Sequence, residues 1–442
     1  MVHTPVTFAH KIQWADLPSS VQNLMKRSVL DTIGVAAAGY QTQMGRITAR
    51  YSKDHWQAGA TGPKAQLMFD GASVSPAGAA FAGAFAIDAV DAHDGHSPVK
   101  GHAGSAVFPA LCAFGGSVRL NGSQFMAAMA VGYEVGYRAG LAQHATLSDY
   151  HTSGAWTAIG VAAMGARLLE LPPDATRHAM GIAEYHGPRS QMMRCIDHPT
   201  MVRDGVGWGA PSGVTAVYMA QAGFTGAPAL TVEAAPEFWD GLGRDWEIER
   251  THYKPYPVCR WAHPAIDAAS DLRTQHGLNA ANIASVEIKT FHNATRLAGQ
   301  DPQTADDIAY GIAFPVAAML VRGQVGLAEL APAVLDDAEI CRISKATELT
   351  EDAGFNAAAE HGERWARVVL TLRDGQVLTS RDYRPKGDPD NPMSDAEISA
   401  KFHSFTVPLL GQARANQIED LVGQLEQVHD IAPLLDLICA PV

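Results

Sequence analysis

The segment SQFMAAMAVGYEVGYRAGLA, residues 123–142, decides the predicted fold of this 442-residue chain. Gly132, Gly136 and Gly140 recur at every fourth position and therefore share one face of a helix. Each glycine costs about 1 kcal/mol of helix stability relative to alanine, so tertiary packing must offset the loss. We expect another helix to approach this bare face closely, within a tightly packed helical domain.

The pattern of the chain changes near Thr251. Before it, further helices are predicted from apolar periodicity at residues 21–40, 76–92 and 153–171. After it, ASVEIKTFHN and WARVVLTLRDGQVLTSRDY have strand-like patterns, and the Asp-Gly pair at 374–375 is typical of a hairpin turn. Between these strands, DIAYGIAFPVAAMLVRG predicts an apolar helix that Pro315 interrupts or that begins near it.

The C-terminal segment returns to a helical pattern. Ser394 and Glu397 have the spacing of a capping box after the turn-rich RPKGDPDNPMS. We therefore predict a mainly α fold with two domains. Residues 1–250 plus 394–442 form a large all-α helical domain, and residues 251–393 form a smaller inserted α+β domain.

Composition restricts the function. The net charge of −13 and the pI near 5.7 argue against nucleic acid and against an anionic membrane as partners, because both attract clustered positive charge. A pocket of cations could still bind a small anionic substrate. Five cysteines without a CxxC pair indicate a reducing compartment. With no signal peptide in sequence, we expect a cytoplasmic protein.

The loop DAHDGHSPVKGHAGS, residues 91–105, contains two aspartates, three histidines and a lysine. Such a loop can be merely solvated, with aspartates that cap local turns. A metal site is the second reading, with His93, Asp94, His96 and His102 as ligands. Because no HExxH or CxxC motif accompanies them, we predict no metal and no other cofactor.

Three further stretches carry candidate groups. His151 precedes a predicted helix, where it could be a neutral base or part of a capping sequence. Arg194 and Arg203 lie in a glycine-containing stretch that suits either carboxylate binding or an ordinary surface. The third stretch, KPYPVCRWAHPAIDA, lies at the predicted domain junction and supplies Lys254, Arg260 and His263.

In this order the stretches resemble the MmgE/PrpD family, which includes 2-methylcitrate dehydratase, cis-aconitate decarboxylase and iminodisuccinate epimerase. The resemblance covers nearly the whole chain. The matching segments are SVLDTIGVAAAGY, the D-x-x-D and H-x-G residues Asp91, Asp94, His102 and Gly104, then YHTSGAWTAIG, GVTAVYMAQAGFTGAP, KPYPVCRWAHPAIDA and KFHSF.

The resemblance implies a helical domain built from both chain ends, an inserted α+β domain, a homodimer and an active site between the domains. It places Asp91, His102, His151 and Lys254 on family active-site positions, with His263 close by. The chain departs from the pattern in three places: Arg203 stands where many members have lysine, Gly95 where decarboxylase-like members have threonine, and Phe314 where some have tyrosine.

The expected activity is that of a cofactor-independent lyase that removes a proton α to a carboxylate of a small di- or tricarboxylic acid. The alternative is epimerisation of an iminodisuccinate-like dicarboxylate. One histidine would take the proton, the other would donate one, and Asp91 would orient a histidine. The predicted catalytic residues are His102, His151, Lys254 and Asp91, and the predicted substrate-binding residues are Arg203, His96, Arg194, His263 and Arg260.

Overall fold

A computed structural model describes residues 4–442, of which the majority are helical, and the predicted mainly α class is confirmed. The first part of the chain forms eleven of the described helices. They are α1 (Pro5–Lys11), α2 (Ser19–Tyr40), α3 (Gln43–His55), α4 (Pro76–Asp88), α5 (Gly104–Gly115), α6 (Gly122–Thr146), α7 (Gly154–Leu168), α8 (Pro173–His186), α9 (Met192–Asp197), α10 (Val206–Gln221) and α11 (Leu230–Glu233).

The bare face of α6 packs against α7, as its glycines predict. A β-carbon at Gly160 of α7 would overlap the carbonyl oxygen of Gly132 and lie 3.0 Å from the Cα atom of Gly136. At Gly140, a β-carbon would lie 2.9 Å from Cγ of Trp156. The close approach of the two backbones therefore requires glycine on both helices.

The second part of the chain contains the largest sheet. Its strands are β5 (Ile283–Thr290), β6 (Thr347–Glu351), β7 (Ala366–Leu372) and β8 (Val377–Thr379), which follow the short pairs β1 (Ala65–Gln66) with β2 (Ser73–Val74) and β3 (Gly95–His96) with β4 (Thr251–His252). The sheet order is β6-β5-β7-β8; β5 and β6 are parallel and the other pairs antiparallel. The predicted hairpin is β7–β8, and Gly375 in its turn has φ of 89°.

Helices cover this sheet and continue the chain. They are α12 (His263–His276), α13 (His292–Thr295), α14 (Ala305–Ala309), α15 (Ala313–Arg322), α16 (Ala338–Lys345), α17 (Ala353–Glu360), α18 (Asp395–Gly423) and α19 (Ala432–Cys439). Pro315 lies in the first turn of α15, where its missing N–H breaks no helical hydrogen bond. The helix therefore begins near the proline, as one of the two predictions had it.

The C-terminal helix α18 packs against α2. The predicted capping box is present, because Ser394 Oγ accepts from the Glu397 N–H at 3.3 Å and Glu397 Oε2 accepts from the Ser394 N–H at 2.9 Å. Phe402 and Ile418 share one apolar core with the first helices, whereas the four-stranded sheet and its helices have a second core. The exact domain boundaries stay a prediction. The first predicted boundary, residue 1, lies outside the described residues 4–442.

Two further features are the absence of a membrane-spanning helix among the described residues and the state of the cysteines. None of the described helices combines the length and the apolar character needed to span a membrane. All five cysteines are free thiols.

The glycine contact between α6 and α7 is testable. Gly160→Ala should lower the free energy of unfolding by about 1–3 kcal/mol, because the added methyl group forces the two helices apart. Gly423→Ala is the matched control, since no atom lies within 4 Å of a β-carbon there. Urea unfolding of both variants measures the effect; a Gly160→Ala protein as stable as the wild type would contradict the proposed contact.

Candidate active site

A short antiparallel pairing of β3 with β4 joins the loop of residues 91–105 to the chain segment at Thr251 and His252. Gly95 pairs with His252 and His96 pairs with Thr251. Lys254 follows two residues after this pair and thereby reaches the start of the loop. Asp91, His96 and His102 from the loop, with His252, Lys254 and Arg260 from the second part of the chain, line a cavity of about 50 Å³.

His102 has a defined tautomer. Its Nδ1 lies 2.6 Å from the carbonyl oxygen of Asp94, and a carbonyl only accepts, so Nδ1 carries the proton and Nε2 keeps its lone pair. The ring stacks on His93 with centroids 4.2 Å apart. Burial, then His93 and Lys254, lower the pKa of His102 well below its usual value. The side chain is therefore a neutral imidazole with a free Nε2.

Among residues 4–442, Asp91 is the one partner of the Lys254 ammonium. Its Nζ donates to Oδ1 of Asp91 at 2.6 Å and to the carbonyl oxygen of the same residue at 2.9 Å. Asp91 has φ of 46°, a left-handed conformation that aspartate tolerates better than most residues. An ammonium has three N–H donors, which leaves one for a ligand. Asp91 thus positions the lysine, whereas the sequence had predicted that it orients a histidine.

A buried polar layer lies beneath these groups. His93 Nε2 is 3.2 Å from Oδ1 of Asp88, and His93 Nδ1 is 3.8 Å from Oδ1 of Asp91. Burial, then Lys254, lowers the pKa of His93 to about 3. Burial raises the pKa of Asp88 to about 6, against the opposing effect of Arg203. Burial disfavours charge on both His93 and Asp88, so this pair is largely neutral near pH 5.

The structure changes the set of residues that could bind a metal ion. Ligand atoms of Asp91, His93 and His102 all lie within 4.8 Å of one another and could hold an ion. Asp94 and His96, two of the predicted ligands, are engaged elsewhere. Because the Lys254 ammonium already binds the only carboxylate of this group, an added cation would have to displace it. The three residues therefore fit a metal poorly.

The loop is fastened to the helices at two points. Oδ2 of Asp94 accepts from the Tyr133 hydroxyl at 2.7 Å and from Ser28 Oγ at 3.0 Å, while burial raises the Asp94 pKa to about 6. Lys401 of α18 donates to the Ala92 carbonyl oxygen at 2.6 Å. The KFHSF segment thus acts on the site through the loop backbone.

Two of the predicted substrate-binding residues line the cavity. His96 accepts from the Val99 N–H at its Nδ1 at 3.1 Å, and its Nε2 is 3.2 Å from Oε2 of Glu247. Burial lowers its pKa, although Glu247 opposes the shift. Arg260 donates to Oδ1 of Asp388 at 2.6 Å. Both side chains reach the cavity while bound to a carboxylate of the protein.

Other predicted residues are outside the described lining of the cavity. Arg203 donates to Oδ1 of Asp306 at 2.5 Å. Nε2 of His263 donates to the Val258 carbonyl oxygen at 3.1 Å, and its Nδ1 lies 3.4 Å from Nη1 of Arg260, so both ring nitrogens have protein partners. The remaining two are Arg194, which is exposed on α9, and His151, whose Nδ1 donates to the Asp149 carbonyl oxygen at 2.7 Å.

The structure adds residues that the sequence analysis missed. Tyr310, Arg364 and His252 all line the cavity. His252 was overlooked beside Lys254, although a histidine two residues from a candidate lysine was a usable signal. Phe314, in the first turn of α15, is fully buried in the second core.

Gly95 makes room for two of these rings. A β-carbon at this position would lie 2.6 Å from Nε2 of His252 and 2.8 Å from Nδ1 of His102. The packing of the two histidines therefore requires a residue without a side chain at position 95.

The structure defines a mainly α protein with a cavity lined by histidines and a lysine, and comparison with known proteins gives its family. The MmgE/PrpD N-terminal domain matches residues 6–251 and the MmgE/PrpD C-terminal domain matches residues 256–427. The chain belongs to the MmgE/PrpD family.

Curated relatives align over nearly their whole length. The cis-aconitate decarboxylase-like protein oryM of Aspergillus oryzae is 26% identical, with 96% of this chain and 94% of the relative covered. The cis-aconitate decarboxylase of Aspergillus terreus is 25% identical, with 98% and 95% covered. The human cis-aconitate decarboxylase is 22% identical, with 98% and 94% covered.

The neutral state of His93 predicts a pH dependence of stability. The unfolded chain binds a proton at this histidine below its ordinary pKa of 6.5, whereas the folded protein does so only near 3. This contribution to stability is complete above pH 6.5 and is lost as the pH falls toward 3. Asp88 and Asp94 act oppositely, since their raised pKa values favour folding at low pH and lose that effect as the pH rises to about 6.

His93→Gln removes only the first contribution. Between pH 6 and 4, the free energy of unfolding of the variant minus that of the wild type should therefore increase by about 1.4 kcal/mol for each pH unit of acidification. Urea unfolding at pH 4, 5 and 6 measures the two slopes, with the exposed His429→Gln as control. Parallel curves for wild type and His93→Gln would show that His93 is not held neutral.

Proposed function

We propose that this protein is a lyase that acts on a small di- or tricarboxylic acid and removes a proton from the carbon α to a carboxylate. The observation that supports the proposal most strongly is the neutral His102, whose Nδ1–H is bound to the Asp94 carbonyl oxygen and whose Nε2 is free. The names of the curated relatives, all cis-aconitate decarboxylases or similar to one, agree with a lyase.

His102 is the proton acceptor in this proposal. A general base must be unprotonated at rest, and burial keeps this imidazole neutral. A low pKa also weakens a base, but a bound substrate brings negative charge into the same buried cavity. That charge raises the pKa of His102 again, because an anion favours imidazolium. Base strength therefore develops when the substrate is bound.

Lys254 stabilises the negative charge that proton removal creates on the substrate oxygen. Its third N–H is available, and Asp91 holds the ammonium in place. In a cavity that excludes water, such a donor lowers the barrier far more than at a surface. The electron pair of the broken C–H bond moves into the enolate, and the proton moves to Nε2 of His102.

The second step decides the product. Loss of a protonated hydroxyl group gives dehydration, and return of a proton to the opposite face gives epimerisation. Decarboxylation replaces the first step: the electron pair of the bond to carbon dioxide forms a carbanion that the same cation stabilises, and this carbanion takes a proton from a lining donor such as the Tyr310 hydroxyl. His151 was predicted to be the second proton carrier, but it is not among the described residues that line the cavity, so we assign this role to a lining residue such as His252 or Tyr310. We also propose that the protein is a homodimer, as the family resemblance implies. Its cysteine content indicates a reducing compartment, and we propose the cytoplasm.

Proton NMR in D₂O tests the activity directly. Chelator-treated protein is incubated with 2-methylcitrate, citrate, cis-aconitate, malate and iminodisuccinate. Deuterium uptake at carbon with loss of hydroxyl or carbon dioxide is the expected result, and uptake with an intact skeleton would establish the epimerase instead. His102→Ala should lower kcat by about 10²–10⁴, whereas His151→Ala should lower it by less than about tenfold. Equal losses in the two variants would return His151 to the mechanism.

Gly95 provides a second test of the site. Gly95→Ala should lower kcat by about 10²-fold, because a methyl group displaces His252 and His102 from their positions. Gly62→Ala is the control, since a β-carbon there meets nothing within 4 Å. The assay is the turnover of whichever acid the NMR panel identifies. Unchanged turnover in Gly95→Ala would show that the packing of these rings does not matter for the reaction.

A further inference from the structure

Arg364 is a buried cation that the mechanism above does not use. Its side chain is 8% exposed and lines the cavity. Nη1 donates to the carbonyl oxygens of Glu363 at 2.8 Å and Ala359 at 3.2 Å, and the guanidinium lies 5.1 Å from the ring centroid of Phe291. Nε and Nη2 donate no hydrogen bond to any residue of 4–442, and no carboxylate in that range forms an ion pair with Arg364.

A second cation lines the same cavity. Lys100 has φ of 55° and its Nζ lies 5.5 Å from the ring centroid of Tyr150. The Tyr150 hydroxyl donates to the Lys100 carbonyl oxygen at 2.6 Å and so fixes this turn. Both cations line the same cavity, and burial, then repulsion by Arg364, lowers the pKa of Lys100. Within the described part of the chain, Lys100 has no ion-pair partner either.

Neighbouring carboxylates do not neutralise this pair. Burial, then Asp88, raises the pKa of Asp204 well above its usual value, so negative charge is disfavoured on this cavity-lining carboxyl, which accepts from the Ser153 hydroxyl. Asp388 attracts Arg364 but is bound to Arg260. Arg364 is buried and Lys100 is exposed at the same cavity, so the cost of a charge without a counter-ion falls on Arg364, unless a ligand supplies the negative charge.

We propose that Arg364 and Lys100 form a carboxylate-binding subsite, with Tyr150 as the residue that positions Lys100. Resting on the proposed function, this subsite binds a second carboxylate of the substrate, remote from the carbon that loses its proton beside His102 and Lys254. The substrate class is therefore an acid with at least two carboxylates, and a monocarboxylic acid is a poor substrate. A guanidinium whose Nε and Nη2 donate to no described protein group suits a carboxylate, because these two nitrogens can donate two parallel hydrogen bonds.

Calorimetric binding of propane-1,2,3-tricarboxylate tests the subsite without any turnover. Arg364→Gln should bind this saturated triacid about 10- to 100-fold more weakly than the wild type, and Arg364→Lys should recover part of the loss. Lys100→Gln should weaken binding by about 3- to 10-fold, because the lysine is more exposed. The exposed Arg373→Gln, in the β7–β8 hairpin region of the same sheet, should bind like the wild type.

The neutral triamide of the same acid separates charge from shape. Its weak affinity should be equal for wild type and Arg364→Gln; a parallel loss for triacid and triamide would mean that Arg364 only supports the structure and would overturn the subsite. Wild-type affinity for the triacid in both Arg364→Gln and Lys100→Gln, or no binding of the triacid to the wild type, would also overturn it. Arg364-dependent binding in a protein that turns over no acid would leave the subsite intact and refute the proposed function.

Discussion

The contact between Lys254 and Asp91, 2.6 Å from Nζ to Oδ1, is the interaction on which the site depends. It joins the loop after α4 to the chain just beyond β4, and both partners are nearly inaccessible to water. Removing one partner of such a buried pair leaves an uncompensated charge, at a cost of about 3–5 kcal/mol. The two-residue β3–β4 pairing and the Lys401 contact to Ala92 bring the two segments to this distance.

Burial also decides the protonation states around this pair. His93 and His102 are neutral because water cannot solvate an imidazolium there, and Asp88 and Asp94 hold protons at a higher pH than exposed carboxyls do. The site therefore combines neutral imidazoles with a few fixed cations. Such an environment attracts an anionic ligand, and the ligand in turn changes the basicity of His102.

Local features were predicted well. The glycine face of α6, the Asp374–Gly375 hairpin and the Ser394 capping box were all confirmed, because spacing along a few residues of backbone determines each of them. Candidate residues were predicted less completely. Arg194 and His263 have chemistry that suits a carboxylate, but one points to solvent and the other is satisfied by Val258 and Arg260.

By itself, the sequence determined the mainly α class, the change to strands after Thr251, and the loop that contains Asp91 and His102. It also carried the resemblance that the family matches confirmed. Only the tertiary structure decided which groups meet. Arg364 lies 262 residues beyond His102, and no local sequence pattern predicts that the two residues line one cavity. Periodicity reflects neighbours along the chain, whereas a cavity is formed where distant segments pack together.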